Sequence, residues 1–167
     1  MKGEIRLLVI MFFAALLGGC ATSYQPIGQS GGFYNRKVAE NIYVIGFNGN
    51  GFTNSQRAND FARLRAAEIG EKLGFTHFVV EGTLDTSKIE VVDAGTTTTT
   101  TGRVNEHRNS TTYHETSTTT NNSYKVYKPG VEIKVVYSEG VPKGRHLDLF
   151  AVSEVIREVK AKYDIKP

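Results

Sequence analysis

The sequence predicts an α+β fold, a two-layer sandwich with a mixed β-sheet, two helices packed on one face and a Thr-rich insertion. Three observations predict it. Between Asn41 and Glu81, an alternating apolar run, a Gly/Asn turn, a helical stripe, a Gly stop and a second apolar run succeed one another as a βαβ unit. After Pro129-Gly130, the side chains of Val131, Ile133, Val135 and Tyr137 alternate with Glu132, Lys134 and Val136, the period of a half-buried strand. The chain then closes in an amphipathic helix. One apolar strand face and one apolar stripe per helix are buried together when the elements stack as two layers.

Taken in order, the chain begins with Lys2 and Arg6, partly offset by Glu4, and continues in eleven uninterrupted apolar residues from Leu7 to Leu17. As a helix these span only about 16 Å, against the roughly 30 Å of a bilayer core. Residues 1–19 therefore read as a signal peptide and not as a transmembrane anchor. Leu17-Gly18-Gly19-Cys20 resembles the lipobox of bacterial lipoproteins and stands where that motif must stand. The resemblance implies a diacylglycerol thioether on Cys20, cleavage before it, and acylation of the new amino group by a chain such as palmitate. Cys20 is the sole cysteine, so lipidation leaves neither a disulfide nor a free thiol nucleophile. Ala21 stands where lipoproteins kept at the inner membrane have Asp, so the resemblance implies an outer-membrane location, lipid-anchored, on the periplasmic side.

Residues 20–41 contain Pro26, Gly28, Ser30, Gly31 and Gly32 without sustained periodicity, which reads as a lipidated N-terminus and tether. Phe33 and Tyr34 interrupt it. Their rings either pack back on the domain or form a flat patch for a partner. The domain proper is expected from residue 42 to 167.

Its first strand, Ile42 to Phe47, is rich in β-branched and aromatic residues. Asn48-Gly49-Asn50-Gly51 ends it with residues that tolerate positive φ or bond their own backbone. Thr53, three before Gln56, fits a capping box, with Ser55 as a competing cap. Ala58, Phe61, Ala62, Ala66, Ile69 and Leu73 then share one stripe, in which Phe61, Ile69 and Leu73 supply the bulk. Gly74 fits the stop, and Phe75 to Val80 resumes as a strand. Arg65 is the anomaly, because it projects between Phe61 and Ile69 inside the apolar arc. Either its stem covers apolar surface while its head pairs with Glu68, or it is a ligand- or partner-binding cation in a groove.

Gly31-Gly32-Phe33-Tyr34, Phe47-Asn48-Gly49-Asn50 with Thr53, Leu64-Arg65-Ala66-Ala67-Glu68 and Gly74-Phe75-Thr76-His77-Phe78 together resemble a family of small uncharacterised lipoproteins of Gram-negative bacteria. The resemblance spans roughly residues 20–81. Here Phe33-Tyr34 replaces the family's Tyr-Ser, and Asn48 offsets the Gly-Asn pair from Phe47. It implies location and fold but carries no enzyme activity.

Ile89 to Val92 reads as a short third strand. From Thr96 to Thr120 the chain holds twelve threonines, and almost nothing there is large enough to form a core. The segment, about residues 96–122, reads as an exposed arm able to contact an envelope protein or glycan through hydroxyls, or as a solvated insertion. His107 and His114, flanked by Glu106 and Glu115, match no closed zinc pattern, so no metal is expected. The last helix is expected near Asp148, with Val152, Val155, Ile156, Val159 and Tyr163 on one face and a Glu158/Lys162 pair on another.

The net charge is +3. Removing Lys2, Arg6 and Glu4 with the signal leaves 18 basic and 16 acidic side chains, too balanced a set to suggest nucleic acid as partner. The sequence contains no Gly-x-Ser-x-Gly elbow, and its Asn48–Gly51 turn lacks the Lys and Ser/Thr of a phosphate-binding loop. The expected function is that of an envelope structural or protein-interaction adaptor without a cofactor; the alternatives are a small-ligand or glycan-binding module and an envelope enzyme whose site assembles only in space. A pocket in which Arg65, Asn48 and Asn50 converge favours the ligand, and a flat patch at Phe33 and Tyr34 favours a protein partner.

Overall fold

A computed structural model describes residues 21–107, 110–143 and 148–166, with the side chains of residues 102–114 excepted. The strands are β1 (Gly32–Ala39), β2 (Ile42–Asn48), β3 (His77–Asp85), β4 (Lys88–His107), β5 (Ser110–Lys128), β6 (Gly130–Ser138) and β7 (Leu149–Ala151); the helices are α1 (Ser55–Lys72) and α2 (Val152–Tyr163). The chain divides into two compact units, Met1–Lys88 with Tyr127–Pro167, and Ile89–Val126.

In the larger unit, a five-stranded sheet of order β1-β2-β6-β3-β7 carries both helices on one face, the expected α+β sandwich. The sheet is antiparallel throughout, not mixed. The helical crossover does bring β2 and β3 into the same direction, but β6 inserts between them and pairs antiparallel with each. β6 buries Val131, Ile133, Val135 and Tyr137 on its inner face, and the centre of the sheet is where such a face loses most exposed surface.

The tether expected up to residue 41 is shorter than that, since Gly32–Ala39 is already strand β1, paired with β2 from Gly32/Asn48 to Ala39/Ile42. Its outer half is exposed, and this edge position hides the alternation by which strands are recognised. Ile89 to Val92 is not a strand of the main sheet either; it belongs to β4, in the smaller unit.

Phe61 is the hub of the core. Its ring meets Phe47 edge-on at 5.1 Å and Tyr163 at 4.9 Å, so sheet and both helices share one aromatic contact. Tyr137 reaches from β6 to donate its hydroxyl to the Ala66 carbonyl at 2.7 Å, and the absence of a side chain at Gly70 lets its ring approach the helix. α1 starts one residue later than the capping box implies. Asn54 is the N-cap, its side chain accepting the Arg57 amide at 2.8 Å, while Thr53 turns its hydroxyl elsewhere. At the other end Gly74, with φ 83°, closes the helix: the Phe75 amide donates to Gly70 and the Gly74 amide to Glu71. This turn places Leu73 at the C-cap, 46% exposed, and Leu64 supplies the bulk that was expected of Leu73. α2 buries Val152, Val155 and Val159 as the stripe requires, but begins after β7, and Lys162 pairs with Asp60 of α1.

The smaller unit is the β4–β5 hairpin. Thr96 bonds Asn121, Thr98 meets Thr119 and Thr100 meets Ser117, the constant register of directly opposed antiparallel residues on one face. Its described side chains from Thr96 to Thr101 and from Glu115 to Lys125 are exposed.

Candidate functional site

Chemistry-bearing residues collect at the N-terminal edge of the sheet, where the segment before β1 folds back over the β2–α1 turn. Thr22 is buried there, and its amide donates to the Thr53 hydroxyl at 3.0 Å. The Asn50 amide donates to the Thr22 hydroxyl at 2.9 Å, the Thr53 hydroxyl donates to the Asn50 side-chain oxygen at 3.0 Å, and the Thr22 hydroxyl donates to the Ser30 carbonyl at 2.8 Å. Two buried hydroxyls thereby bond backbone groups of three residues, Thr22, Ser30 and Asn50, as buried polar groups must. Gly31 and Gly32 make the approach feasible. Both have positive φ, and a Cβ on Gly31 would stand 2.2 Å from the Asn48 carbonyl oxygen.

Beside this knot lies a hollow of about 230 Å³ whose lining includes Ile27, Gly31, Asn48, Asn50, Lys88 and Lys128. Phe52 stands in the same turn, its amide held by the Asn50 side chain at 3.0 Å and its side chain 73% exposed.

Arg65 does not line that hollow, so the sequence-predicted set does not converge on one pocket. Its guanidinium lies over the Phe33 ring at 4.5 Å, donates twice to Asn35 at 3.1 Å and approaches Glu68 at 3.4 Å. The cation–π contact and the bonds to Asn35 and Glu68 make it a clamp between α1 and β1. Glu68 also accepts the Tyr24 hydroxyl and lies 3.6 Å from Lys160. Burial first, then the Glu68 carboxylate, push the Tyr24 hydroxyl far above its ordinary range, while Arg65 pulls the other way; Tyr24 remains a neutral donor.

Phe33 and Tyr34 point to opposite faces of β1. Phe33 packs with Tyr24 and beneath Arg65 on the helix side. Tyr34 lies across Gly46 and donates to Glu132 at 3.1 Å on the other. Of the two alternatives, the rings pack back on the domain and form no shared flat patch; adjacent strand residues cannot share a face. Thr22, Tyr24 and Asn35 were not singled out by sequence reasoning. Thr22 and Tyr24 lie in a segment too short and Pro/Gly-punctuated to show a period, and only their alternate spacing hints that they share a side.

Cys20, His146 and the side chains of His107 and His114 lie outside the described residues. Among the described residues no group of three or more His, Cys, Asp or Glu gathers as a metal site. His77 shares a hydrogen bond of 2.8 Å with the neighbouring Thr76 hydroxyl. No described helix is long and apolar enough to cross a membrane. The chain matches no protein-family model, no curated protein and no solved structure.

Proposed function

We propose that this protein is a lipid-anchored adaptor on the periplasmic side of the outer membrane, held there through acylated Cys20 and recognising an envelope protein or glycan with its Thr-rich hairpin. The observation that carries the reading is the hairpin itself. It is a compact unit of its own whose two strands, twenty and nineteen residues long, expose opposed rows of Thr, Ser and Asn. Each hydroxyl both donates and accepts, so such rows suit a partner rich in hydroxyls and amides. Arg65, the alternative recognition residue, commits its Nε and one N–H of each terminal nitrogen to Asn35 and Glu68. Anchoring confines the hairpin near the membrane, and confinement raises effective concentration enough for individually weak contacts to count.

The hollow with Asn48, Asn50, Lys88 and Lys128 supports a second reading, a small-ligand site in the larger unit. In-cell crosslinking separates the two. An envelope partner captured by the lipidated protein and lost on deleting Thr97 to Asn121 supports the adaptor; a partner retained after that deletion but lost with Asn48→Ala in a folded domain moves recognition to the hollow. Turnover of a small molecule by the purified protein, with no partner recovered, overturns the adaptor in favour of an enzyme. The anchor is tested by Cys20→Ser: mature protein that still fractionates with outer membrane refutes lipidation.

A further inference from the structure

Thr22 is buried and bonded through both its amide and its hydroxyl. Two peptide steps separate Thr22 from Cys20, a reach of about 7 Å even when fully extended. The headgroup layer of a bilayer is of the same order, about 5–8 Å per leaflet. A flexible linker of twenty residues would instead allow an excursion of roughly 25 Å. An anchor on Cys20 would therefore hold the surface around the Thr22 knot within about one headgroup layer of the acyl boundary.

That surface is built unlike an ordinary solvated edge. Phe52 stands 73% exposed in the turn that Asn50 and Thr53 hold rigid, and Ile27, 48% exposed, lines the adjoining hollow. Lys88 and Lys128 border the same hollow. Apolar side chains flanked by Lys ammonium groups are the pattern of an interfacial contact, where rings enter the acyl boundary and cations meet phosphates.

We infer that the end of the domain formed by the Thr22–Asn50–Thr53 knot docks directly on the phospholipid surface, with Phe52 and Ile27 inserted at the headgroup boundary. The inference rests on lipidation of Cys20. It makes the anchor an orienting device, since the domain then has one fixed face toward the membrane instead of swinging on a leash.

The chain contains no tryptophan, so Phe52→Trp gives the full-length lipidated protein a single reporter. Leu73→Trp, also at an exposed site but beyond the far end of α1, gives the control. Both variants are reconstituted into phosphatidylethanolamine/phosphatidylglycerol vesicles with or without bromine on the upper acyl chain. The Phe52→Trp protein is expected to emit to the blue of the Leu73→Trp protein and to lose most of its emission in brominated vesicles, whereas the control is unchanged. Ile27→Trp repeats the reading from the second apolar residue. If the reporters at positions 27 and 52 are as unquenched as the control in protein that sediments with the vesicles, docking is overturned while the anchor stands. If the N-terminal peptide carries no acyl mass on Cys20, anchor and docking fall together.

Discussion

The Thr22 amide donates to the Thr53 hydroxyl across thirty-one residues of sequence, and both residues are buried. Thr53→Val keeps the side-chain shape but removes the acceptor for Thr22 and the donor to the Asn50 side chain. A buried N–H left without a partner costs its desolvation, so the variant is expected to lose about 1–3 kcal/mol. Urea unfolding checks it, with a lower midpoint at unchanged slope.

Gly31→Ala tests the backbone beneath the same knot. Its φ of 94° is one that L side chains rarely adopt, and the new Cβ would meet a backbone oxygen that cannot swing aside. The expected loss is about 2 kcal/mol or more. Gly82→Ala is the control, because nothing lies within 4 Å of its Cβ position; its thermal midpoint should stay near that of the wild type.

Helix α1, its Gly74 stop, strands β2 and β6 and the stripe of α2 were legible because each buries one face, and burial of one face imposes a period on sequence. Arg65 was legible as an anomaly for the same reason. Its pairing with Glu68, three residues on, was legible too, but Phe33 and Asn35 lie on β1, and no local pattern records a contact across thirty residues. β1 was read as tether because an edge strand has few residues that must be apolar. The antiparallel sheet was missed because the place of β6 between β2 and β3 depends on pairing over more than forty residues. The site's most buried polar residue, Thr22, lies outside every periodic segment.

Asp60 should set the acid limit of the fold. Burial opposes its ionisation, but Lys162 at 2.7 Å, Tyr163 at 2.8 Å and Gln56 at 2.9 Å outweigh burial and hold its carboxyl below the ordinary range. A folded-state value below the unfolded one of about 3.9 means that the stabilisation is fully present above that unfolded value and lost as pH falls through the folded value. Asp60→Asn is expected to lower stability by about 1–2 kcal/mol at pH 7 and to flatten the fall below pH 4. Unfolding midpoints measured from pH 7 to pH 2 decide it; parallel curves for the two proteins would show that Asp60 contributes no pH dependence. Lys162, which donates to Asp60, has its own value raised by that bond, so its contribution is present below the unfolded value and lost only on the alkaline side.

The hairpin should be dispensable for folding and indispensable for recognition. Every buried apolar residue of the described core lies in the larger unit, whereas Ile89, Val91 and Tyr124 of the hairpin are more than half exposed. A two-stranded ribbon without a covering layer is marginal by itself, held by its ladder and by cross-strand pairs worth a few tenths of a kcal/mol each. Amides from Thr96 to Thr101 and from Glu115 to Asn122 should therefore exchange with deuterium well before those of β2 and β6, where opening requires loss of the core. Replacing Thr97 to Asn121 with a two-residue turn should leave a single cooperative transition within a few degrees of the wild-type midpoint. A broadened transition would mean that the ribbon shares the cooperativity of the core. If the transition stays sharp, crosslinking by the same variant reads recognition with folding held constant, and survival of the full set of envelope partners would refute a role for the threonine rows.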